Sequence, residues 1–404
     1  MNSGLFFPPP ALLLKDFAKT LIHYLLPLSG LFISYLFISY LFIFYLFISL
    51  SSISYLFIPT SFPANSSLLL TMKKISDSEV RWGVLGVGNV CEVKSAPAMN
   101  HIPHSKLVAV MRRDEEKVKD YATRHGVSKW YTSAHDLVND PEVNAIYIAT
   151  PPNSHLELTR LVASVGKPVY VEKPMARTYA ECLEMIGICE KAGVPLYVAY
   201  YRRALPHFLK IKQLLDEGAI GEVRTVHINL KQVIKPDVVV HLENNWRIDP
   251  KIAGGGYFFD LASHQLDLLD FFFGKITLSN GFSGNQANEY DAEDIVVGSF
   301  VFEGGVVGTG NWCFTSSKSA EIDEIVIDGN KGQIRFATFG KGEFTLIHDY
   351  EKAEHYHLVL PHHIQQPLIK SIVGDLLGTD TCPSTGISGA RTNRVMGELV
   401  KTRI

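Results

Sequence analysis

Charge is the first thing this chain lacks. Residues 20–72 contain no Asp, Glu, Lys or Arg. Within them the pentapeptide LFISY occupies Leu31–Tyr35 and recurs as Leu36–Tyr40. It returns, slightly changed, as Leu41–Tyr45 and Leu46–Leu50, and has decayed by Ile58. Leu31–Ile58 is long enough to span a bilayer as a helix, yet a period of five matches neither the helix nor the strand repeat. The sequence therefore admits three readings: a genuine anchor, a tandem repeat in the coding DNA, or non-coding sequence taken into the reading frame. A secretory leader fits less well, because the apolar run is too long and no small-residue cleavage site follows it. Residues 1–78 are expected to form a low-complexity hydrophobic extension, with membrane contact only if 31–58 is an anchor.

Cysteine is also scarce. Five are scattered over the chain (Cys91, Cys182, Cys189, Cys313, Cys382), with no metal-ligand spacing and no disulfide framework. Reduced thiols and a cytoplasmic location are the expectation, with membrane tethering through the N-terminal segment as the alternative. The formal charge of −3 and the absence of any long basic run exclude a nucleic-acid partner. No Gly-x-Ser-x-Gly elbow, Walker loop or Cys-x-x-Cys pair occurs. His355, His357, His362 and His363 read as surface histidines, and no metal site is expected.

From Ser76 onward the texture is globular. Apolar strands at Val80–Gly86, Lys106–Met111, Asn144–Ala149, Pro168–Val171 and Pro195–Ala199 alternate with helices expected at Val90–Asn100, Glu115–His125, Ser154–Ser164 and Tyr179–Ala192. That alternation predicts an α/β fold, a doubly wound parallel sheet of Rossmann type, over residues 79–199. After Tyr200 come helices at Pro206–Glu217 and Tyr257–Phe273. Strands separated by Gly, Asn and Ser turns follow with no helix between them. They predict an α+β domain over 200–404 with an open, largely antiparallel sheet. Ser388–Thr402 reads as a last helix that returns to the first domain.

Five motifs carry chemistry. Gly86-x-Gly88 closes the first strand and opens a helix, where backbone amides (Asn89 and Val90 among them) and the helix dipole can hold a pyrophosphate. Cys91 replaces the third glycine and is small enough for close helix–sheet packing. Arg112 and Arg113 follow the second strand, with Asp114 only afterwards. Two guanidinium groups suit a 2′-phosphate better than a diol, so NADP(H) is favoured and NAD(H) is possible; the bland reading is a solvated helix start. Thr150-Pro151-Pro152-Asn153-Ser154-His155 follows the third apolar strand, on the side where such sheets bind ligands. There Ser154 is expected to cap the next helix and Asn153 or the backbone to meet cofactor.

Glu172-Lys173-Pro174 ends the next strand at the same edge. Lys173 could orient a hydroxyl, stabilise negative charge or relay a proton; standing alone it would be an exposed strand-end lysine. Asp260 and His264, at i,i+4 spacing in a very apolar helix, share one face, and Asp267 continues it a turn on. A polar stripe in such surroundings needs partners or a task, and a buried structural Asp–His pair is the competing account.

Trp82–Gly88, the Thr150–His155 loop, Glu172-Lys173-Pro174 and Gly254–Asp267 together resemble the glucose–fructose oxidoreductase/inositol dehydrogenase (Gfo/Idh/MocA) family. The likeness runs over about residues 79 to 402. It implies NAD(P)-linked oxidation of a secondary alcohol on a sugar or polyol, or the reverse reduction, and a homo-oligomer formed through the C-terminal sheet. By position it makes Lys173, Asp260 and His264 the catalytic set. His264 takes the hydroxyl proton, Asp260 orients the imidazole or binds a neighbouring hydroxyl, and Lys173 holds the reacting oxygen. Cofactor contacts fall to Gly86, Gly88, Asn89, Val90, Arg112, Arg113, Thr150, Pro152, Asn153, His155, Glu172 and Lys173. Arg202, Trp246 and Arg247 join Asp260 and His264 around the substrate. Tyr201-Arg202-Arg203 stands where many relatives have Asn-Arg-Arg. Members resembling dihydrodiol dehydrogenase use tyrosine at the position of His264, which disfavours that subgroup. A catalytically inactive nucleotide-binding sensor of the same fold is the alternative function.

Overall fold

Residues 75–234, 245–349 and 353–404 are described by the computed structural model of this chain. The repeat at 31–58, and with it the question of an anchor, lies outside them. Among the described residues no helix is long and apolar enough to cross a membrane.

Six short strands build the first sheet: β1 (Val80–Leu85), β2 (Ser105–Met111), β3 (Lys129–Tyr131), β4 (Ala145–Ile148), β5 (Val169–Val171) and β6 (Leu196–Val198). All pairings are parallel, in the order β3-β2-β1-β4-β5-β6. β4, β5 and β6 are buried at every position, as a strand covered on both faces must be. α1 (Asn89–Val93) and α2 (Glu115–His125) pack on one face; α3 (Ala134–Val138), α4 (His155–Ser164) and α5 (Tyr179–Ala192) pack on the other. This is the doubly wound order in which the chain reverses direction between β1 and β4. The loops after β1, β4 and β5 therefore open into one crevice.

The helix expected over Val90–Asn100 is a correction. α1 stops at Val93 and a 3-10 turn runs over Ala96–His101. Pro97 explains the break: its ring would collide with the carbonyl four residues back if the α-helix continued.

Nine strands form the second sheet: β7 (Val223–Lys231), β8 (Ile276–Gly284), β9 (Ile295–Phe302), β10 (Val307–Cys313), β11 (Ile322–Gly329), β12 (Gly332–Phe336), β13 (Glu343–His348), β14 (Glu354–His357) and β15 (Thr402–Arg403). The order is β14-β13-β12-β11-β7-β10-β9-β8-β15, antiparallel except at β7–β10 and β8–β15. α6 (Pro206–Asp216), α7 (Ser263–Phe273) and, after α8 (Gln366–Leu377), α9 (Gly386–Leu399) bring Phe208, Leu269, Phe272 and Leu399 against Phe300 and Trp312 of this sheet. The opposite face is open. Leu278 is 67% exposed and Phe282 54%, beside a shallow groove of about 400 Å³.

α8 has no counterpart in the sequence reading. Its Leu368, Ile369, Ile372, Val373 and Leu376 are buried with Val80, Trp82 and Tyr170 of the first sheet. A segment some two hundred residues downstream thus completes one face of the nucleotide-type sheet. α9 packs against α5 on one side and against α7 and β8 on the other, so it joins the two sheets.

Candidate active site

The turn after β1 is built for close approach. Gly86 has φ +91°, and a Cβ there would fall 2.5 Å from Thr150 Cγ2, so the β1 and β4 loops can touch only at a glycine. At Gly88 a Cβ would meet nothing nearer than the Gly86 carbonyl at 3.9 Å; it would project into open space. The Gly86 and Val87 amides both reach the Met111 carbonyl, at 2.9 and 3.2 Å. The amides of Gly88, Asn89 and Val90 have no acceptor among the described residues. Three free amides around an open cradle fit a pyrophosphate. The helix dipole expected there is a correction: five residues of α1 supply little of it.

Arg112 Nη1 donates to the Val87 carbonyl at 3.1 Å, which lays its side chain along this turn, while Arg113 is exposed. Asp114 caps α2, accepting the Lys117 amide at 3.1 Å. The acid nearest the end of β2 is therefore already engaged.

In the loop after β4, Pro152 is buried and Asn153 exposed. Ser154 does not cap α4: its hydroxyl donates back to Thr150 Oγ1 at 2.7 Å and to the Pro151 carbonyl at 2.9 Å. His155 was expected at the cofactor, but its ring is fully buried. Nε2 lies 2.8 Å from the Thr150 carbonyl and Nδ1 3.0 Å from the Met175 carbonyl. It ties the β4 loop to the β5 loop and offers no free nitrogen. Glu172 is likewise turned inward. Tyr147 and Gln365 donate to its Oε1 at 2.5 and 2.7 Å, and the Lys173 amide reaches Oε2 at 3.1 Å. Tyr170 in turn donates to Gln365 at 2.7 Å. The carboxylate braces the end of β5 from below, and Lys173 is the residue of the pair that faces the crevice.

Opposite stands a segment that differs from the expected helix. Residues Phe258–Ala262 wind as a π-helix before α7 begins, and π turns inserted in α-helices recur at functional sites. The entry is shaped by Gly254, whose φ is +89° and whose Cβ would lie 2.4 Å from the Arg177 carbonyl. The wider turn presents both the carbonyl and the carboxylate of Asp260 to Lys173, whose Nζ donates to them at 2.9 and 2.5 Å. Arg247 Nε lies 3.2 Å from the other carboxylate oxygen, its guanidinium stacked 4.6 Å from the Trp246 ring. Burial works to raise the Asp260 pKa, but the two cations outweigh it and hold the carboxyl below its ordinary range.

His264 does not pair with Asp260, which corrects the expectation that Asp260 orients its imidazole. The π turn shifts the register, and His264 sits among rings instead: Tyr201 at 5.4 Å, Phe339 at 6.0 Å and Tyr200 at 6.2 Å. Its Nδ1 is buried without a partner among the described residues. Burial first, then the charges of Arg202, Lys173 and Lys94, push its pKa well below the ordinary imidazole value. A neutral ring with a free nitrogen can accept a proton. Asp267 leaves the site altogether. It is bound at 2.8 Å through each oxygen by Arg203, which also reaches Asp270 at 2.9 Å.

Arg202 is buried beside His264, its guanidinium 4.9 Å from the Tyr201 ring and 4.6 Å from Phe339. Phe339, Gln365 and Lys94 are absent from the sequence reading. Phe339 and Gln365 stand in an ordinary turn or cap far from any motif, and Lys94 ends the short helix after the glycine turn; only their contacts mark them.

A profile described as the oxidoreductase family, NAD-binding Rossmann fold, matches residues 80–200, and one for the GFO/IDH/MocA C-terminal domain matches 208–335. The chain is 40% identical over 320 residues to Oxidoreductase P35 of Formosa agariphila, spanning 79% of this chain and 98% of that one. It is 29% identical over 259 residues to 1,5-anhydro-D-fructose reductase of Ensifer adhaerens, 63% and 74% of the two chains. Among solved structures, levoglucosan dehydrogenase in complex with NADH and levoglucosan superposes with a TM-score of 0.72 at 20% identity, over 80% of this chain and 97% of that one. That likeness is one of fold.

Proposed function

The chain belongs to the Gfo/Idh/MocA family of NAD(P)-dependent oxidoreductases acting on CH–OH groups, and on that premise we propose that it interconverts a secondary alcohol and a ketone on a sugar or polyol through Lys173, Asp260 and His264. The observation that carries this reading is the convergence of the Lys173 ammonium, the Asp260 carboxylate and a neutral, unpartnered imidazole beside a turn with three free amides. The turn from Gly86 to Val90 would hold the cofactor pyrophosphate. The Pro152 loop and Lys173 would border the nicotinamide, which supplies or accepts the hydride.

In the oxidative direction His264 accepts the hydroxyl proton. Its depressed pKa keeps it unprotonated at neutral pH, so it is ready as a base, and in reduction it is a strong acid once protonated. Lys173, held by Asp260, supplies positive charge where the reacting oxygen gains electron density. Arg247 fixes the far side of Asp260, and Trp246 walls the cleft. An inactive sensor would have no need of this set, and the relatives named above are oxidoreductases or reductases.

NADP(H) is the cofactor we favour. Arg112 lies along the glycine turn and Asp114 is committed to its cap, which leaves cations and no free acid for the adenosine ribose. In this reading residues 79–199 form the cofactor domain, with α8 completing one face of its sheet, and 200–404 otherwise form the substrate domain, whose last helix returns to the first. The exposed Leu278 and Phe282 on the open sheet face support a homo-oligomer formed there. Five free cysteines favour a cytoplasmic protein. The test is turnover of a panel of sugars and polyols with NADP⁺ and NAD⁺. Oxidation of at least one polyol-type substrate is expected, and silence across the panel in both directions would sink the reading.

A further inference from the structure

Two adjacent arginines meet opposite fates. Arg203, 4% exposed, is neutralised by Asp267 and Asp270 and also donates to the Pro383 carbonyl at 3.1 Å. Arg202, 6% exposed, forms no ion pair among the described residues. Its Nε donates to the Thr338 carbonyl at 3.0 Å, and its Nη1 is buried with no hydrogen-bond partner among the described residues. Buried charges are normally paired, because removing an ion from water without compensation is costly. An unpaired guanidinium beside the proton acceptor is an incomplete site.

The groups around Arg202 do not complete it. Asp323 feels its charge but forms no ion pair with it. One Asp323 oxygen accepts the Phe339 amide at 2.6 Å and the other has no hydrogen-bond partner among the described residues; burial raises its pKa against the pull of Arg202. His207, pushed down to about 4 by burial and by Arg202, carries no charge, and neither does His264. Across the cleft, Lys173 and Arg247 share the single carboxylate of Asp260. Cations therefore outnumber ionised acids around His264.

We infer that the substrate is a sugar acid, and that its carboxylate is received by Arg202 between the rings of Tyr201 and Phe339. This deepens the proposed oxidoreductase reading and rests on it for the location of the reacting carbon. The carboxylate is a handle: it fixes which hydroxyl faces His264 and is not itself changed. A planar guanidinium fork suits it, since two parallel N–H donors match two carboxylate oxygens. The Nε bond to Thr338 and the stacking rings hold that fork in place before substrate arrives. A neutral sugar could offer Nη1 only an uncharged hydroxyl acceptor, weaker than a carboxylate, which penalises it relative to an acid.

The experiment compares matched pairs with the full chain: D-glucose against D-glucuronate and D-galactose against D-galacturonate. Binding is followed by calorimetry and turnover by nicotinamide absorbance. Wild type should prefer the acid of a pair by at least about tenfold in affinity or kcat/KM. Arg202→Gln should collapse that ratio, and Arg202→Lys should retain part of it. A merely structural role would lower both members of a pair alike and leave the ratio intact, which overturns the inference. So does a wild type that handles the neutral sugars as well as the acids. Turnover of neutral sugars without preference for acids defeats this inference and leaves the oxidoreductase reading standing. Arg202-dependent acid binding with no turnover of any sugar does the reverse.

Discussion

Lys173 Nζ lies 2.5 Å from Asp260 Oδ1 although 87 residues separate them, and the same ammonium donates to the Asp260 backbone carbonyl at 2.9 Å. The pair joins the end of a parallel strand to a π turn of the second sheet's helix. It is the point at which the two halves of the crevice meet, so a change at either residue tests geometry and chemistry together.

Lys173→Met should keep the stem of the side chain and lose the charge. Cofactor binding should persist, because the free amides of the Gly88 turn are untouched. Turnover should fall by at least about 10²-fold, the lower range for loss of a positioned proton-transfer or charge-stabilising group. Fluorescence titration of NADPH separates the two quantities. Loss of cofactor binding with unchanged kcat would mean that Lys173 belongs to the cofactor pocket alone.

His264→Asn should cost turnover on the same scale of about 10²–10⁴-fold. The wild-type pH profile carries the sharper test. An ordinary imidazole titrates near about 6.5, and burial with three neighbouring cations pushes His264 well below that. The acidic limb of kcat/KM for oxidation should therefore lie below the ordinary imidazole value, with a plateau through neutrality. A limb centred at or above it would assign the base elsewhere.

The parts of this site that are legible in the sequence are those whose elements are local. β1 with its glycine turn, β5 with Glu172-Lys173 and the apolar helix bearing Asp260 and His264 each announce themselves within a few residues. What one sequence does not disclose is the long-range half. Gln365 reaches Glu172 across 193 positions, and Arg202 reaches the Thr338 carbonyl across 136. The π turn is hidden for another reason. Apolar periodicity marks Tyr257–Phe273 as helix, but one extra residue in a turn leaves no compositional trace, so the shared face of Asp260, His264 and Asp267 is read too simply. His155 and Glu172, expected at the cofactor, turn their side chains inward; a strand-end motif reveals which edge a residue occupies and not whether it points in or out.

Gly86 and Gly88 should separate in their response to alanine. Gly86→Ala forces a Cβ to 2.5 Å from Thr150 at a positive φ, and should lower stability by roughly 1–3 kcal/mol, the range for such backbone strain. Gly88→Ala adds a methyl that touches only the Gly86 carbonyl at 3.9 Å. Its melting temperature should stay within a degree or two of wild type, whereas NADP(H) affinity should fall. Equal cofactor affinity in Gly88→Ala would show that the open space above the turn is not where the pyrophosphate lies.

Arg112→Ala should reduce NADP(H) affinity by about tenfold, or ~1.4 kcal/mol, the size of one charge-assisted contact. NAD(H), which lacks the 2′-phosphate, should be affected far less, so the ratio of the two dissociation constants is the quantity to measure. A parallel loss for both cofactors would trace the effect to the Arg112 bond with the Val87 carbonyl, which shapes the turn.

Asp267 should report through stability. Arg203 joins Asp267 and Asp270, and Arg391 reaches Asp270 at 2.8 Å, so the cluster ties the segment after β6 to α7 and α9. Removing one partner strands the others in the interior, and Arg203→Leu should cost about 3–5 kcal/mol in urea unfolding. Burial pushes the Asp267 carboxyl from 3.8 up to about 6, against the pull of Arg203. The folded state therefore holds a proton between those values that the unfolded chain releases. With the folded pKa raised, the contribution is fully present below the unfolded pKa and is lost as pH climbs through the folded one. Wild type should give up part of its stability between about pH 4 and about pH 6 through this residue. Asp267→Asn cannot titrate, so the difference in unfolding free energy between wild type and this variant should change across that window and be flat above it. A difference that is constant from pH 4 to pH 7 would mean that Asp267 is ionised throughout, held by Arg203 as a permanent buried ion pair.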